Sequence, residues 1–483
     1  MMRIGKISLP TLSLSPFYSE VFNRGRSGRS KKTGYRKVSL FAESDTQFVS
    51  LLRQSYIPKK GIDMERQKLY EVLFDQQKEF VTPADLVQRD AEDDLETLLK
   101  AKMPILITGV RRCGKSTLLK LLKMRLKLRN TEAMYVNFND ERLVGFSTDN
   151  FQMINDYLQE QKYDSRAILF MDEIQETTNW EKWVDRIKDK RRVIITGSNS
   201  KLLSSELSTI MTGRALTLRL YPFSFKEFLR ARNVDASQID IDRERQNDVR
   251  SALKEYLEFG GFPKRTLTNE NVILAELYES ILYKDIVSKF GPRQVRSIKE
   301  MVHYVISNIS KQLSTRTLSE VSAIKNLGTI KRILERLEEA FLVMTVPKYD
   351  YSLRKQIQNP KKAYCVDNGI VTTSGFRFSD NKGQLLENAV FVELKHRGHE
   401  IYYHSGKKEC DFVTKAGTRI TEAMQVSYEL TDENKDREIK GLVEALDKYK
   451  LSQGTIITFD QEEIISTGRK KVNVVPAWKW LIK

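Results

Sequence analysis

Residues 104–117 of the chain read PILITGVRRCGKST. This stretch joins a short apolar run, Ile105–Thr108, to Gly109–Ser116, which fits the pattern G-x-x-x-x-G-K-[ST] of a phosphate-binding loop. A helical pattern then extends over Thr117–Arg129. Strand, glycine-rich turn and helix in this order are the context that such a loop requires. The stretch therefore predicts a nucleotide-binding domain of the α/β class.

The residue types in this loop suit a triphosphate and a magnesium ion. Gly109 and Gly114 allow the backbone to turn so that its N–H groups face phosphate oxygens, and the following helix adds the positive end of its dipole. Lys115 is predicted to bridge the β- and γ-phosphates, and the Ser116 hydroxyl is predicted to coordinate Mg²⁺. Thr117 is expected nearest the α-phosphate.

A buried strand that ends in two carboxylates supplies the second half of the predicted site. Residues 167–173 read AILFMDE. Asp172 is predicted to hold Mg²⁺ through its water shell, and Glu173 to polarise the attacking water. An acidic pair at a strand end is by itself an ordinary turn signal, so this assignment depends on the upstream loop.

Two further segments supply candidates for contact with the γ-phosphate. Ser198 and Asn199 follow the apolar run Val193–Thr196, although a turn of this composition needs no function. Arg214 precedes the next apolar run and is predicted to reach a phosphate in its own or a neighbouring subunit. A surface arginine without a role fits the sequence equally well.

Short β-rich runs alternate with helical patterns from Pro104 to Leu220, which predicts a parallel sheet with helices on its faces. Beyond the last run, Ser224 and Glu227 have the spacing of a capping box, so a helix is predicted to start there. Phe223 and Phe228 are placed as its hydrophobic staple. The five apolar runs are Ile105–Thr108, Ala133–Phe138, Ile168–Met171, Val193–Thr196 and Leu216–Leu220.

The remaining chain is predicted to form two further regions. Residues from about 236 to 345 have mostly helical patterns, interrupted by the turn Gly260–Pro263, and strands return only after Val343. From Gly383 the pattern is helix, three strands, helix and strand, and it closes at Trp480. We accordingly divide the chain into residues 1–63, 64–235, 236–380 and 381–483.

The composition is that of a soluble globular protein. The 483 residues are 40% hydrophobic and 30% charged, with a mean hydropathy of -0.46. No stretch approaches about 18 uncharged apolar residues and no signal-peptide pattern is visible, so a cytoplasmic location is predicted. Cys113, Cys365 and Cys410 are too few and too scattered for a disulfide framework or a zinc site, and reduced thiols are expected.

The formal net charge is +17, and residues 1–63, with twelve Lys and Arg against four Asp and Glu, contribute +8 of it. This segment has no sustained periodicity and is predicted to be disordered. It fits a targeting peptide, a nucleic-acid arm or an over-extended reading frame, since Met64 opens a clean helical pattern. Residues 64–483 carry the other +9, which suits a solvated surface as well as a DNA partner.

An ordered set of motifs extends from the phosphate loop to the C-terminal region. They are Gly109–Ser116, Leu169–Gln175, Thr196–Ser198, Gly213-Arg214, Leu220–Phe228, Gly260–Pro263, Tyr364–Gly369, Leu386–Asn388 and Cys410–Phe412. From Met64 onward the chain resembles bacterial and archaeal AAA-type ATPases that join an AAA_14 ATPase domain to a DUF4143 C-terminal region. The resemblance implies ATP binding and hydrolysis on an AAA-like sheet, a winged-helix-like middle and a nuclease-like C-terminal fold. The choice of adenine over guanine depends on this resemblance.

Residues 310–362 are consistent with a recognition helix and wing. The helix is predicted at Thr329–Phe341, followed by a strand at Val343–Val346 and the basic stretch Lys348–Lys362. A winged-helix fold used only for packing is the alternative. The cations placed to meet DNA phosphates are Lys331, Arg332 and Arg336.

The C-terminal module resembles PD-(D/E)XK nucleases, in which an Asp and, on the next strand, Glu-x-Lys hold a metal ion and activate water. Glu387 lies on a predicted helix and Asp411 in an apolar strand. Where the pattern expects Glu-x-Lys, the chain has Gln425-Val426-Ser427, which offers neither the carboxylate nor the ammonium. Glu422 is three residues early and faces the other side by strand alternation. We therefore predict a degenerate, substrate-binding or structural module rather than a nuclease.

Three functions remain open at this point. The first is a Mg²⁺-dependent ATPase that acts as a nucleotide-driven switch on a macromolecular partner, either another protein or a second copy of this chain. The second is a DNA-binding regulatory protein whose occupancy ATP controls. The third is a metal-dependent nuclease.

Overall fold

The structure is a computed structural model that describes residues 65–81, 86–197, 215–237, 242–374 and 381–483. The basic segment at residues 1–63 lies outside these ranges, and so do Ser198, Asn199 and Arg214. What the sequence predicts for these residues therefore stays a prediction.

The first sheet has five strands, all parallel, in the order β2-β3-β4-β1-β5. Strand β1 lies between β4 and β5, and β4 separates it from β3. The predicted parallel α/β class is confirmed. The strands are β1 Ile105–Thr108, β2 Ala133–Asn137, β3 Ile168–Asp172, β4 Val193–Gly197 and β5 Leu216–Arg219.

Helices cover both faces of this sheet. Ile105 and Ile107 pack into one apolar cluster, whereas Leu106, which points to the opposite face, packs into another. Burial on both faces explains why the strands are continuous apolar runs in the sequence. The helices of this part are α1 Arg66–Glu79, α2 Ala91–Leu99, α3 Lys115–Arg125, α4 Phe151–Glu160, α5 Trp180–Ile187 and α6 Phe225–Ala231. Short 3-10 segments occur at Asn130–Glu132, Glu141–Leu143, Thr148–Asn150 and Ile174–Glu176.

The middle region is mostly helical, as expected, and contains a small antiparallel sheet in the order β6-β8-β7. The two-residue strand β6, Gln312–Leu313, corrects the expectation that strands return only after Val343. Two residues are too few to leave an alternating pattern. The other strands are β7 Val343–Pro347 and β8 Lys361–Cys365.

The helices of the middle region include one π-helical segment, Ile281–Ile286, which continues directly from an α-helix. The α-helices are α7 Arg243–Phe259, α8 Pro263–Thr268, α9 Val272–Ser280, α10 Val295–Ser307, α11 Thr315–Ser322, α12 Leu327–Glu339, α13 Leu353–Gln358 and α14 Asn368–Ser374. Two 3-10 segments lie at Val287–Lys289 and Pro292–Gln294.

The C-terminal sheet has six strands in the order β13-β14-β12-β11-β10-β9. The sequence predicts one strand after the second helix of this module, whereas the structure has three. The additional hairpin is at the sheet edge, and β13 alternates poorly because most of its side chains face solvent. The strands are β9 Glu400–Ser405, β10 Glu409–Ala416, β11 Arg419–Val426, β12 Gln453–Thr458, β13 Glu463–Thr467 and β14 Lys470–Pro476. The helices are α15 Lys382–His396, α16 Lys435–Tyr449 and α17 Ala477–Trp480.

All described residues belong to one compact unit. Cys113, Cys365 and Cys410 are buried free thiols, and burial raises the pKa of each above its ordinary value. In the described ranges, no helix has both the length and the apolar character needed to cross a membrane.

Candidate nucleotide-binding site

The loop between β1 and α3 requires glycine at both of its ends. A Cβ atom on Gly109 would lie 2.1 Å from the carbonyl oxygen of Leu220, because the backbone beyond β5 approaches the loop closely. Gly114 has φ +103°, a backbone conformation that residues with a Cβ atom rarely adopt. The two glycines therefore fix the path that brings the chain from the strand into the helix.

A buried arginine outside the motif supports this loop. Arg89 donates from Nη1 to the carbonyl oxygen of Cys113 at 2.9 Å and from Nη2 to that of Tyr221 at 2.8 Å. Its Nε donates to Glu227 Oε1 at 2.9 Å, and Glu227 also closes the predicted capping box with Ser224. Arg89 was not predicted from the sequence, because nothing local marks it as a partner of residues so far along the chain.

A second ion pair ties the loop to the middle region. Arg111 donates to both carboxylate oxygens of Asp285, from Nε to Oδ2 at 2.7 Å and from Nη2 to Oδ1 at 3.0 Å. Burial opposes the charged guanidinium, but Asp285 raises the pKa of Arg111 above its ordinary value. Asp285 belongs to the π-helical segment, a type of distortion that is frequent at functional sites.

Lys115 lies inside the loop and is only 4% exposed. Its Nζ donates to the carbonyl oxygens of Gly109 at 3.1 Å and Val110 at 3.2 Å, and lies 3.8 Å from Glu173 Oε1. Within the described residues, no backbone carbonyl accepts from the N–H groups of Lys115, Ser116 or Thr117. An ammonium and a row of free amide donors at a helix start form an anion-binding arrangement.

Asp172 is buried at the end of β3 and is held by two hydroxyl groups. Tyr135 donates its O–H to Asp172 Oδ2 at 2.7 Å, and Thr196 donates to Oδ1. Burial, and then the Asp172 charge, raise the pKa of Tyr135 above its ordinary value, so this tyrosine remains a donor. Thr196 is within reach because β4 lies directly beside β3.

Glu173 adopts a left-handed backbone conformation, with φ +51°, at the point where the chain leaves β3. Thr196 Oγ1 accepts a hydrogen bond from the backbone N–H of Glu173 at 3.1 Å. Gln175 Nε2 donates to Glu173 Oε2 at 2.5 Å. The carboxylate thus lies between the Lys115 ammonium and an amide that orients it. Gln175 stood within a motif of the sequence, but its contact with Glu173 was not predicted.

An open cavity of about 390 Å³ joins these groups to the middle region. The sequence did not predict that helix α8 would form part of its wall. From the loop and β3 the lining residues are Arg112, Gly114, Lys115, Ser116, Thr117 and Glu173, and from α8 they are Pro263, Lys264, Leu267 and Thr268.

Comparison with known families matches three consecutive parts of the chain. They are an AAA domain (AAA_14) at residues 101–229, a domain of unknown function (DUF8612) at residues 250–380 and another (DUF4143) at residues 382–480. The uncharacterized protein MJ1544 of Methanocaldococcus jannaschii is 33% identical over 455 residues, which cover 89% of this chain and 98% of that protein. An uncharacterized protein of Haemophilus influenzae is 30% identical over 394 residues, covering 78% of this chain and 94% of that protein. The chain belongs to the AAA_14/DUF4143 family.

The solved structures that match are more distant from this AAA_14/DUF4143 protein. Cdc6p of Pyrobaculum aerophilum is 13% identical with a TM-score of 0.27, covering 64% of this chain and 96% of that chain. DnaA of Aquifex aeolicus, bound to AMPPCP, is 15% identical with a TM-score of 0.25, covering 54% of this chain and 91% of that chain. TM-scores this low give no basis for inferring function from these structures.

The predicted site residues of this AAA_14/DUF4143 protein fit a nucleoside triphosphate with Mg²⁺. Thr108 Oγ1, at the end of β1, is buried with no hydrogen-bond partner among the described residues, which leaves a polar atom beside the loop free for a ligand or water. Lys115 and the amides of α3 would hold phosphates, and Ser116 with Asp172 would hold the metal ion. Asp172 does not line the cavity, and its two oxygens accept from Tyr135 and Thr196, so it would act on the ion through the ion's water shell.

The glycine turn before α8 is clamped by a buried carboxylate. Asp367 accepts from the N–H of Gly261 at 2.6 Å and from the N–H of Gly369 at 2.8 Å. A Cβ atom on Gly260 would lie 1.9 Å from Asp367 Oδ1, and one on Gly261 would lie 2.2 Å from the carbonyl oxygen of Phe223. Two motifs of the sequence, Gly260–Pro263 and Tyr364–Gly369, thus form one contact that sets the position of α8.

A further motif of the AAA_14/DUF4143 family extends this contact into the C-terminal module. Asn388, on α15, accepts from the backbone N–H of Cys365 at 2.8 Å and donates to the carbonyl oxygen of Cys365 at 3.0 Å. Asn388 also donates to Asn368 Oδ1 at 2.8 Å. The cavity wall, the small sheet and the C-terminal helix are therefore connected by buried hydrogen bonds.

Proposed function

We propose that this chain binds ATP with Mg²⁺, hydrolyses it and acts as a nucleotide-driven switch. One observation carries the proposal: the phosphate loop and helix α8 of the middle region line the same cavity. A triphosphate bound there contacts both parts at once. Its loss on hydrolysis therefore changes how strongly they are held together.

The roles of the side chains follow from their positions. Lys115 and the free N–H groups of α3 would bind the phosphates. Ser116, and Asp172 through the ion's water shell, would hold Mg²⁺, which when bound supplies positive charge against the phosphates. Glu173 lies at the cavity surface and accepts a proton from the attacking water. Gln175 keeps the Glu173 carboxylate in place through its 2.5 Å hydrogen bond.

Transmission to the rest of the chain begins at α8. Lys264 and Thr268 present exposed polar groups to the cavity, and the turn that starts their helix is fixed by Asp367. The Arg111–Asp285 pair forms a second connection between loop and middle region. A change at the phosphates therefore acts on the middle region through two separate contacts.

The proposal is tested by ATP and GTP turnover of the full chain, with and without Mg²⁺. We expect release of phosphate from ATP that requires Mg²⁺. In the same samples, limited proteolysis should give different patterns with ADP and with a non-hydrolysable ATP analogue. Tight ATP binding without turnover reduces the chain to a sensor, and identical patterns in both nucleotide states reject the switch.

A second candidate function, DNA binding controlled by ATP, is supported by the arrangement of the middle region. Helix α12 precedes strand β7, and the connection from β7 to β8 leaves Arg354 and Lys355 exposed. Lys331 and Arg332 on α12 are exposed as well, whereas Arg336 is paired with Glu339. This surface offers cations at the places where a recognition helix and a wing contact phosphates.

Salt dependence distinguishes this candidate from the first. Binding to DNA through exposed cations weakens steeply with salt, and the double variant Lys331→Ala, Arg332→Ala should reduce the slope by about two, one for each phosphate that is no longer neutralised. The matched control removes two exposed lysines elsewhere, Lys407 and Lys408. A full chain that ignores DNA at low salt rejects DNA binding and leaves the ATPase proposal untouched.

A further inference from the structure

A buried lysine meets three carboxylates where the small sheet packs against the C-terminal sheet. Lys362 Nζ lies 2.7 Å from Glu409 Oε1, 2.9 Å from Asp411 Oδ1 and 3.2 Å from Glu387 Oε1. The lysine side chain is only 3% exposed. An ammonium carries three protons, so each carboxylate can accept one of them.

This cluster contains the residues that resemble a nuclease centre. Glu387 and Asp411 are brought together, and Gln425 Oε1 accepts from the backbone N–H of Asp411 at 3.1 Å. Glu422 faces elsewhere and accepts from Thr414 Oγ1 at 3.1 Å, as strand alternation predicts. Ser427 stands where the nuclease motif has a lysine. Lys362, on β8 and outside the module, supplies an ammonium to the cluster instead.

We propose that Lys362 is the resident cation of this acidic cluster and takes the place of a divalent metal ion. A metal ion must approach carboxylate oxygens to about 2.0–2.6 Å. The ammonium already contacts Asp411 Oδ1, and Asp411 Oδ2 accepts from the N–H of Val426 at 3.0 Å. Glu387 Oε1 accepts from the Tyr364 hydroxyl at 2.7 Å as well as from Lys362. Both carboxylates are therefore engaged before any metal ion arrives.

The electrostatics favour a permanent contact. Burial disfavours the charged ammonium, but Asp411, Tyr364 and the two glutamates raise the pKa of Lys362 well above its ordinary value. Burial, followed by the Asp411 charge, raises the pKa of Glu387 above its ordinary value. Among the described residues, no group of three His, Cys, Asp or Glu side chains is arranged to hold a metal ion.

The lysine also joins two sheets. Lys362 is fixed by β8, which pairs with β6 on one side and β7 on the other. Its three carboxylate partners belong to α15 and β10 of the C-terminal module. Lys362 therefore links the small sheet to the C-terminal module. In this arrangement the cluster holds the middle region against the C-terminal module. The ammonium leaves no place for the metal ion that a nuclease needs.

The experiment measures Mn²⁺ binding by the full chain without nucleotide, from the electron paramagnetic resonance signal of free Mn²⁺. The wild type and Asp411→Asn should bind the same amount of Mn²⁺, because the cluster of the wild type holds no metal ion. Lys362→Ala should lower Tm by about 5 °C or more, because three carboxylates lose their counter-ion. Added Mn²⁺ should then bind Lys362→Ala and recover part of the lost Tm. Lys361→Ala, the exposed neighbour on β8, is the matched control and should behave as the wild type.

Two results would overturn the proposal. A wild-type Mn²⁺ site that disappears in Asp411→Asn assigns the cluster to a metal ion. A Lys362→Ala variant with wild-type Tm shows that Lys362 does not stabilise the contact between the middle region and the C-terminal module. If Lys362→Ala does not fold, Lys362→Met keeps the apolar stem and is measured in its place, and the wild-type comparison with Asp411→Asn decides the metal question independently.

Discussion

The carboxylate of Asp367 accepts a 2.6 Å hydrogen bond from the N–H of Gly261, although the two residues are 106 positions apart in the chain. Through this bond a residue that follows β8 fixes the turn in front of α8, and α8 forms part of the wall of the nucleotide cavity. The contact connects the predicted ATP site with the region that must respond to it.

The Asp367 contact should make stability depend on pH. Burial raises the pKa of Asp367 from 3.8 to about 6, although backbone N–H groups that bind the carboxylate oppose this. Because the folded-state pKa exceeds the unfolded one, the stabilisation is complete below pH 3.8 and is lost as the pH rises through about 6. The shift corresponds to about 3 kcal/mol.

Asp367→Asn removes this titration, so Tm is compared between the wild type and the variant across the same range. We expect the wild type to lose stability relative to Asp367→Asn between about pH 4 and about pH 7. The control variant Asp432→Asn, changed at an exposed position, should keep the pH dependence of the wild type. A constant difference between wild type and Asp367→Asn means that the buried carboxyl does not titrate there.

Lys115→Ala should weaken ATP binding by about 100-fold or more, because an ammonium that pairs with phosphates in a buried loop is removed. Isothermal titration calorimetry measures the change, with Lys226→Ala, an exposed lysine on α6, as the control. Since Lys115 also binds two loop carbonyls, the Tm of the variant is measured as well. Unchanged ATP affinity in a folded Lys115→Ala protein contradicts the assignment.

Glu173→Gln should retain ATP binding and lose turnover by about 10²–10⁴-fold, because the amide cannot accept a proton from water. Phosphate release under saturating ATP gives the rate, and calorimetry gives the affinity. Glu176→Gln, an exposed glutamate three residues further on, is the matched control. Wild-type turnover in Glu173→Gln assigns the general base to another residue.

Gln175→Leu should lower kcat by about 10-fold, or about 1.4 kcal/mol, with little change in KM. The reason is that Gln175 orients the Glu173 carboxylate and lines no part of the cavity itself. Combined with Glu173→Gln, the substitution should cost nothing further, since the group that it orients is already inactive. Additive losses in the double variant show that Gln175 acts on stability or on another group.

Local patterns were sufficient for the phosphate loop and for the helix start at Ser224. The strand, turn and helix around Gly109–Lys115 lie in one short stretch, and the capping box spans four residues. Interactions of this range are decided by neighbours in the chain, so the residue types reveal them. The edge strand β13 was missed for the opposite reason, because a strand exposed on most of its length has no apolar pattern.

The sequence by itself determined the parallel α/β sheet, the phosphate-loop motif after β1 and the acidic pair at the end of β3. Only the tertiary structure decided what surrounds them: Arg89 behind the loop, α8 as a wall of the cavity and Lys362 among the carboxylates. The physical reason is distance along the chain. Lys362 and Asp411 are 49 positions apart and Arg89 and Glu227 are 138 apart, and such pairs form only when separate elements pack together.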